Sequence, residues 1–398
     1  MKNIILFDDA SYSEFLPLVY TRPIGDLRIG ISKIHEKWNT EGSASVSFYS
    51  NSYLMEKFPL EWKEDNYLIN SRYLPNEYLL SEIEGLAVNE SLYNGEDLIA
   101  SRILNDGSAE QWKDFYKKLE GTKKELDDSS LFYLTQVWDI FQKNGDALRI
   151  DFERITKGKR SQKIPDTVQY LGNADQLFIE EGAKLNFVTL NLETGPIYIG
   201  KDSEVMEGAV IRGPFALLEG GGVKLSAKIY GPTTIGPHSK VGGELNNVVI
   251  QGYSNKGHDG FLGNAVLGEW CNLGADTNNS NLKNNYASVK TWSYSKGGFK
   301  DTGLQFCGLA MGDHSKTGIN TMLNTGTVIG VGCNVYGAGF PRTFMPSFIW
   351  GGADGRMVHK LSKFYETAAI VMARRGVELS ETDKAILSHI FEETEKYR

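Results

Sequence analysis

Residues 199–241 read IGKDSEVMEGAVIRGPFALLEGGGVKLSAKIYGPTTIGPHSKV. Counting by six from Ile199 meets Val205, Ile211, Leu217, Val223, Ile229, Ile235 and Val241, and every one is aliphatic. With about a quarter of residues aliphatic, chance gives such a run on the order of 1 time in 10⁴ to 10⁵. The spacing returns in a second phase at Phe261, Leu267 and Leu273, and in a third at Met311, Thr317, Leu323, Ile329 and Val335. A period of six fits neither an α-helix nor a coiled coil. It predicts a parallel β-helix built from hexapeptide repeats, three short strands to a coil of about 18 residues, each aliphatic side chain pointing into the prism. A Gly-rich β-sandwich would space its strands unevenly, at about 8 to 12 residues. Gly200, Gly236, Gly268, Gly274, Gly312 and Gly330 directly follow repeat positions, and the reading places them at corners, where positive φ is cheap for glycine.

The period breaks twice, over 242–260 and over 276–303. The second break is polar and Asn-rich, with Lys283, Lys290, Lys296 and Lys300, and its length marks it as functional or intersubunit. Residues 1–165 have another character: NIILF, ASVSFY and NYLINS read as strands, GDLRIGISKIHEKW as a helix, and SSLFYLTQVWDIFQKNG as a helix closed by Gly145. The alternation predicts an α/β domain with a mainly parallel sheet. Residues 166–352 form the solenoid, and 353–398 two helices that cap its end, the second starting with a capping box at Ser380 and Asp383.

Bulk properties remove several classes of function. The chain of 398 residues is 41% hydrophobic and 23% charged, with net charge −8 and no long basic tract, which argues against nucleic acid. No stretch is apolar enough to span a membrane, and MKNIILFDDA is too short an apolar run for a signal peptide. Cys271, Cys307 and Cys333 are too few and too scattered for a zinc site, so no metal ligands are assigned to them. Sparse cysteines without an export signal point to the cytoplasm.

The first break ends in NKGHDGFLGNAVLGEWCNLGADTNNSN, residues 255–281, where His258 stands at the edge of the resumed repeat. Imidazole is suited to general-base work near neutral pH. This motif, with LPLVYTRPIGDLRIG near the front, resembles a subfamily of sugar nucleotidyltransferases related to the bifunctional N-acetylglucosamine-1-phosphate uridyltransferase/glucosamine-1-phosphate acetyltransferase. The resemblance spans nearly the whole chain, strongly in the solenoid and weakly in the first domain. It implies a nucleotidyltransferase-like α/β domain followed by a left-handed parallel β-helix. It implies acetyl-CoA as a substrate, a sugar phosphate or nucleotide sugar as the other, and a homotrimer whose acetyl-transferring centre lies between subunits. His258 matches the family's catalytic base, and Asn272 the asparagine on the acceptor sugar. Ala275, Asn281, Asp313 and Val331 match positions at the acetyl-CoA site, and Arg342 a phosphate-binding arginine beside it.

The departures concern the substrate. Phe261 stands where the family has an acceptor-facing tyrosine, and Leu282 replaces a second tyrosine. The basic residues available for the acceptor's phosphates are Lys228, Lys240 and Lys256. In the first domain the family's Gly-rich phosphate loop is replaced by LFDDASYSEFLP. Asp8 and Asp9 would repel phosphate unless a metal, here Mg2+, intervened, leaving Arg22 and Arg28 as nucleotide- and phosphate-binding candidates. The family's nucleotide-binding aspartate falls near Asn70–Ser71. Three functions follow: an amino-sugar acetyltransferase, a sugar-1-phosphate nucleotidyltransferase that uses the solenoid only to assemble, or a non-catalytic sugar-nucleotide-binding scaffold.

Overall fold

The computed structural model describes residues 3–39, 44–105 and 121–398. The chain divides into two compact units: Met1–Tyr12, Thr21–Leu27 and Ser32–Thr135 form one, and Ser13–Tyr20, Arg28–Ile31 and Gln136–Arg398 the other.

The first unit is an α/β domain around a six-stranded sheet in the order Ser45–Tyr49, Asn3–Phe7, Asp65–Asn70, Asp97–Leu104, Glu90–Asn94, Thr122–Glu125. Its first three strands are parallel, but Asp97–Leu104 runs antiparallel to both neighbours, so the sheet is mixed rather than mainly parallel. The cause is local. Asn94 pairs with Asp97 across Gly95, whose φ is +59°. A two-residue loop, Gly95-Glu96, with glycine at its first position makes a tight hairpin, and a hairpin makes antiparallel neighbours.

The second unit is a parallel β-helix. Ile199, Val205, Ile211, Leu217, Val223, Ile229, Ile235 and Val241 all lie in one continuous core. Strand pairing stacks them in columns. Ile199 pairs with Leu217, Leu217 with Ile235, and Ile235 with Ile250; Val205 pairs with Val223, and Val223 with Val241. Phe261 leaves the pattern: its neighbour Leu262 pairs with Leu245 and takes the inward place, so Phe261 turns outward beside Glu244.

The break over 242–260 is no loop. Glu244–Gly252 is a continuous strand, and the next coil is shorter, Lys240 pairing with Asn255. The break over 276–303 is a true insertion, containing a hairpin of Lys290–Ser293 with Gly298–Asp301. Stacking continues across it, with Asn272 paired to Lys316. The Asn-rich stretch before the hairpin is structural: Asn278 Oδ1 accepts from the Phe261 amide at 2.7 Å, and Asn279 binds both backbone groups of Gly263.

The glycines after repeat positions are not at positive φ. They are required by close approach: a Cβ on Gly236 would meet the Gln251 carbonyl, and one on Gly330 the Ser347 backbone. The left-handed corner is filled by larger residues, among them His238 (φ 55°), Tyr253 (52°), Trp270 (63°), His314 (61°) and Phe348 (59°). Such a conformation costs roughly 1–2 kcal/mol per residue. Stacking between coils offsets part of this, with ring centroids 5.1 Å apart for His238–Tyr253 and 4.3 Å for Tyr253–Trp270.

Two segments near the front lie on the solenoid. Leu148 and Phe152, on the helix Asn144–Thr156, pack with Phe178, Tyr198 and Leu218. Gly145, read from sequence as a helix end, sits in this helix's first turn against Pro232. Arg28–Ile31 is irregular, with Gly30 at φ +71°, and only Ile34–Trp38 of the helix expected over 25–38 is α-helical. The reason is the bonding: the Arg28 amide donates to Gln251 Oε1 at 2.6 Å, Gln251 Nε2 donates to the Arg28 carbonyl at 3.1 Å, and Ile31 N donates to Asp151 at 2.8 Å.

The two terminal helices are Leu361–Ala373 and Glu381–Glu393, the latter with its Ser380/Asp383 capping box. They run along the solenoid's flank. Phe364 packs on Phe348 and His314, while Arg375, past the end of the same helix, reaches Asn255 at 3.5 Å. Among the described residues no helix is long and apolar enough to cross a membrane.

Gln251 is 1% exposed, and its side chain bonds both backbone groups of Arg28. Gln251→Ala should lower the stability of the second unit by about 2–4 kcal/mol, because it strands buried backbone groups. Urea denaturation measures this, and a loss under about 0.5 kcal/mol would show the tie to be dispensable.

Candidate functional site

Strand alternation places Lys240, Asn255, Asn272 and Lys316 in one column on the outside of a sheet, one per coil, while their neighbours Val241, Leu273 and Thr317 face the core side. The corner residues Tyr253 and Trp270 stand at one side of this column, and Lys224, Gly257, His258, Ala275 and Ile319 at the other. Val371, Arg374 and Arg375 of the C-terminal helix region close over it. Together they enclose a cavity of about 660 Å³.

The cavity's electrostatics are one-sided. Its lining carries the cations Lys224, Lys240, Lys316, Arg374 and Arg375 and no carboxylate. Lys240 is held below the usual lysine range, first by burial and then by the charges of Arg375, Lys224 and Arg374, with Glu204 opposing. Burial lowers Lys316 as well, while its Nζ donates to the His314 carbonyl at 3.0 Å. Like charges gathered in a half-buried cavity repel one another, and an anion entering it relieves that repulsion. Cys271 also lines the cavity, but burial pushes its thiol up to about 12, so it is no thiolate nucleophile near neutral pH.

Of the site residues expected from sequence, the cavity brings together His258, Asn272 and Ala275. His258 and Asn272 are exposed to it. The other solenoid candidates lie elsewhere. The Phe261 amide is held by Asn278, and Asn281 Nδ2 donates to Asn264 Oδ1 at 2.8 Å. Asp313 is buried, its Oδ1 accepting from the Glu269 amide at 2.9 Å. Val331 is fully buried, and Arg342 is exposed, away from the cavity lining. Among the three lysines named for phosphate, only Lys240 lines the cavity; Lys228 is exposed outside it and Lys256 is buried. Lys224, Lys316, Arg374 and Arg375 were not singled out from the sequence. For Lys316 the signal was positional: Lys240, Asn255, Asn272 and Lys316 each precede an inward residue, a relation hidden by the short coil and the inserted hairpin.

In the first unit the carboxyl ends of Asn3–Phe7 and Asp65–Asn70 carry a compact ionic cluster. Asp9 Oδ2 accepts from Arg72 Nη2 at 2.8 Å, Arg72 Nε at 3.1 Å and Asn70 Nδ2 at 2.7 Å. Arg72 Nη2 also donates to Asp97 at 2.9 Å. Burial works against ionisation of Asp9, but Arg72 and the hydrogen bonds of Ser11, Arg72 and Asn70 hold it below its ordinary value. Asp8 behaves oppositely. Burial pushes it up to about 7, with the Asp9 charge adding to the rise and bonds from Ser50, Ser71 and Ile24 opposing it. Asp9 and Asp97 are both already bonded to Arg72, an arrangement that does not fit a divalent cation. Among the described residues no group of His, Cys, Asp and Glu could hold a metal ion.

The expected phosphate-binding arginines are engaged internally. Arg22 is 4% exposed and lies 3.7 Å from Asp26. Arg28 donates from Nε to the Gln251 carbonyl at 3.3 Å and from Nη1 to the Ile31 carbonyl at 2.5 Å. Arg28 is thus a structural tie to the solenoid.

Residues 4–160 match the family described as sugar nucleotidyl transferase. The uncharacterized acetyltransferase YaiX of Escherichia coli strain 536 and its K12 counterpart are each 29% identical to the chain over 160 residues, 39% of this chain and 63% of theirs. The chain therefore spans less than two thirds of the length of these curated relatives. Among solved structures, an Arabidopsis UDP-N-acetylglucosamine acyltransferase aligns with 54% of this chain and 80% of its own at 12% identity and a TM-score of 0.22.

The raised Asp8 predicts a pH dependence. Its folded form holds the proton more tightly than the unfolded chain does, so its contribution to stability is present at about pH 4 and lost as pH rises through about 7. Asp8→Asn should remove that loss, melting higher than the wild type at pH 8 with the advantage shrinking at pH 5. Equal differences at both pH values would show that Asp8 titrates normally.

Proposed function

We propose that the solenoid is an acyl-CoA-dependent acyltransferase, acting with acetyl-CoA on the amine of a sugar phosphate or nucleotide sugar. The observation that carries this is one cavity holding His258, Asn272 and five cations without a carboxylate. A base and an anion-attracting wall in one enclosure suit an amine acceptor and a donor that both carry phosphate. The match of residues 4–160 to sugar nucleotidyl transferases supports a sugar substrate, and the acetyltransferase names of the relatives support acetyl transfer.

In this reading the amine nitrogen of the sugar attacks the thioester carbon. The carbon–nitrogen bond forms, and His258 takes the proton that the nitrogen sheds. The carbon–sulfur bond then breaks, and the proton passes to the leaving thiolate, giving an amide and free coenzyme thiol. Asn272 offers an amide to the acceptor, while Lys240, Lys316, Lys224, Arg374 and Arg375 hold phosphates. Phe261, Asn281, Asp313 and Val331 support the coils rather than touch the substrates, and Arg342 stands on the surface away from the cavity. The chain works as a cytoplasmic homotrimer, and exposed apolar residues beside the cavity, Ile319 (73%) and Leu225 (64%), are the surface a second copy would cover.

The second reading is a sugar-1-phosphate nucleotidyltransferase in the first unit. The family match over residues 4–160 favours it; the ionic cluster of Asp9, Arg72 and Asp97 at the strand ends, where amides would cradle phosphate, weighs against it.

The test is thiol release from acetyl-CoA with a panel of amino-sugar phosphates and nucleotide amino sugars. His258→Ala should lower kcat by about 10²-fold or more. Lys240→Ala and Lys316→Ala should raise KM about tenfold with smaller effects on kcat. Absence of release with every acceptor, or full activity of His258→Ala, would refute the acyltransferase reading.

A further inference from the structure

In the solenoid one inward column runs Val205, Val223, Val241 and then Lys256, with Thr317 and Val335 later in the same column. Lys256 is 1% exposed and ranks among the largest fully buried side chains of the chain. Its stem fills the space that valine occupies one coil earlier. Its ammonium donates to the carbonyls of His258 at 2.5 Å and Asp259 at 3.0 Å. A charged group inside an apolar prism is costly, and the neighbouring coils show that an aliphatic residue would fit.

We infer that Lys256 is a positioning residue, which fixes the turn that carries His258 from inside the solenoid. This rests on the acyltransferase reading for its catalytic consequence, but not for its structural one. The turn Gly257–Gly260 has few other ties: the Asp259 carbonyl accepts from the Asp276 amide at 3.0 Å, and the Gly260 carbonyl from Glu244 at 3.2 Å. Because the Lys256 Nζ is held at two successive carbonyls, it sets the peptide planes on both sides of Asp259 and so the direction in which His258 leaves the backbone. A base displaced by about 1 Å from its substrate loses on the order of 10²-fold in rate. The groups facing the ammonium beyond these carbonyls are Asp259 and Asp276, which favour its charged form, while burial lowers it to about 8.

The experiment compares wild type with Lys256→Met, which keeps the stem and removes the donors, and Lys256→Gln, which keeps N–H donors. Hydrogen exchange at the amides of 257–261 is measured together with kcat and KM for acetyl transfer. The expected result is exchange about tenfold faster over 257–261 in the Met variant and unchanged in other coils, with the Gln variant near wild type. Acetyl transfer in the Met variant should lose about 10- to 100-fold in kcat, with KM for the acyl donor within about twofold. Wild-type exchange in the Met variant overturns the proposal, as does faster exchange with unchanged kcat. If the Met variant does not fold, the Gln variant decides: a wild-type turn supports the proposal, and a loosened one overturns it. If wild type shows no acetyl transfer while the exchange contrast appears, Lys256 fixes the turn and the acyltransferase reading fails.

Discussion

The fold depends on closing each coil without leaving a backbone group unpaired. A coil stacked on its neighbour must turn its corner in the left-handed region and bring its backbone almost into contact with the next coil. The corner amides then bond across the stack: His238 N to the Glu219 carbonyl at 2.8 Å, Tyr253 N to Pro237 at 2.7 Å, and Phe348 N to Val331 at 2.8 Å. Close approach is met by glycine along the sides, and the left-handed turn by residues that stack. The choice of histidine, tyrosine and tryptophan at these corners also builds one wall of the cavity, since Tyr253 and Trp270 line it. The requirement that closes the coil thus shapes the site.

The two units treat positive charge in opposite ways. Arg72 is 3% exposed and is bonded by Asp9 and Asp97. A guanidinium so satisfied has little to gain from a phosphate. In the solenoid cavity Lys240, Arg374 and Arg375 face one another with Glu204 as the opposing charge named for Lys240. On a chain of net charge −8, such a gathering is a local reversal of the overall balance. Stability alone would not select it, because each added cation raises the charging cost of the others.

Much of this was legible in the sequence, for physical reasons that also explain the rest. The eight aliphatic residues from Ile199 to Val241 announced the prism because a burial requirement repeats with the coil. His258 and Asn272, which meet at one cavity, were legible through one continuous motif over 255–281. The column Lys240–Asn255–Asn272–Lys316 was not, since it joins residues from four coils and its register depends on one short coil and one insertion. Phe261 misled because hexad counting cannot tell it from Leu262, and only pairing with Leu245 shows which faces inward. Gly145 misled as well: glycine was read as a helix end, whereas the contact with Pro232 explains it here. The strap Arg28–Ile31 carries helix-like periodicity, but its backbone groups are bonded to side chains more than a hundred residues away, a relation that local pattern does not contain.

The insertion between Asn272 and Lys316 shows why a site can survive in so irregular a solenoid. The hairpin of Lys290–Ser293 and Gly298–Asp301 leaves and re-enters the stack without disturbing the pairing of Asn272 with Lys316. Its own lysines turn elsewhere, Lys300 to Glu14 at 3.2 Å and Lys283 to the Ser288 carbonyl at 2.7 Å. The cavity therefore draws its cations from the stacked coils and from the C-terminal helix region, and not from the polar loop that the sequence made most conspicuous. Charges fixed on stacked strands lose little side-chain freedom when an anion arrives, whereas charges on a long loop must first be ordered. That difference favours the column as the binding surface and leaves the loop to fasten the residues around Glu14 to the solenoid.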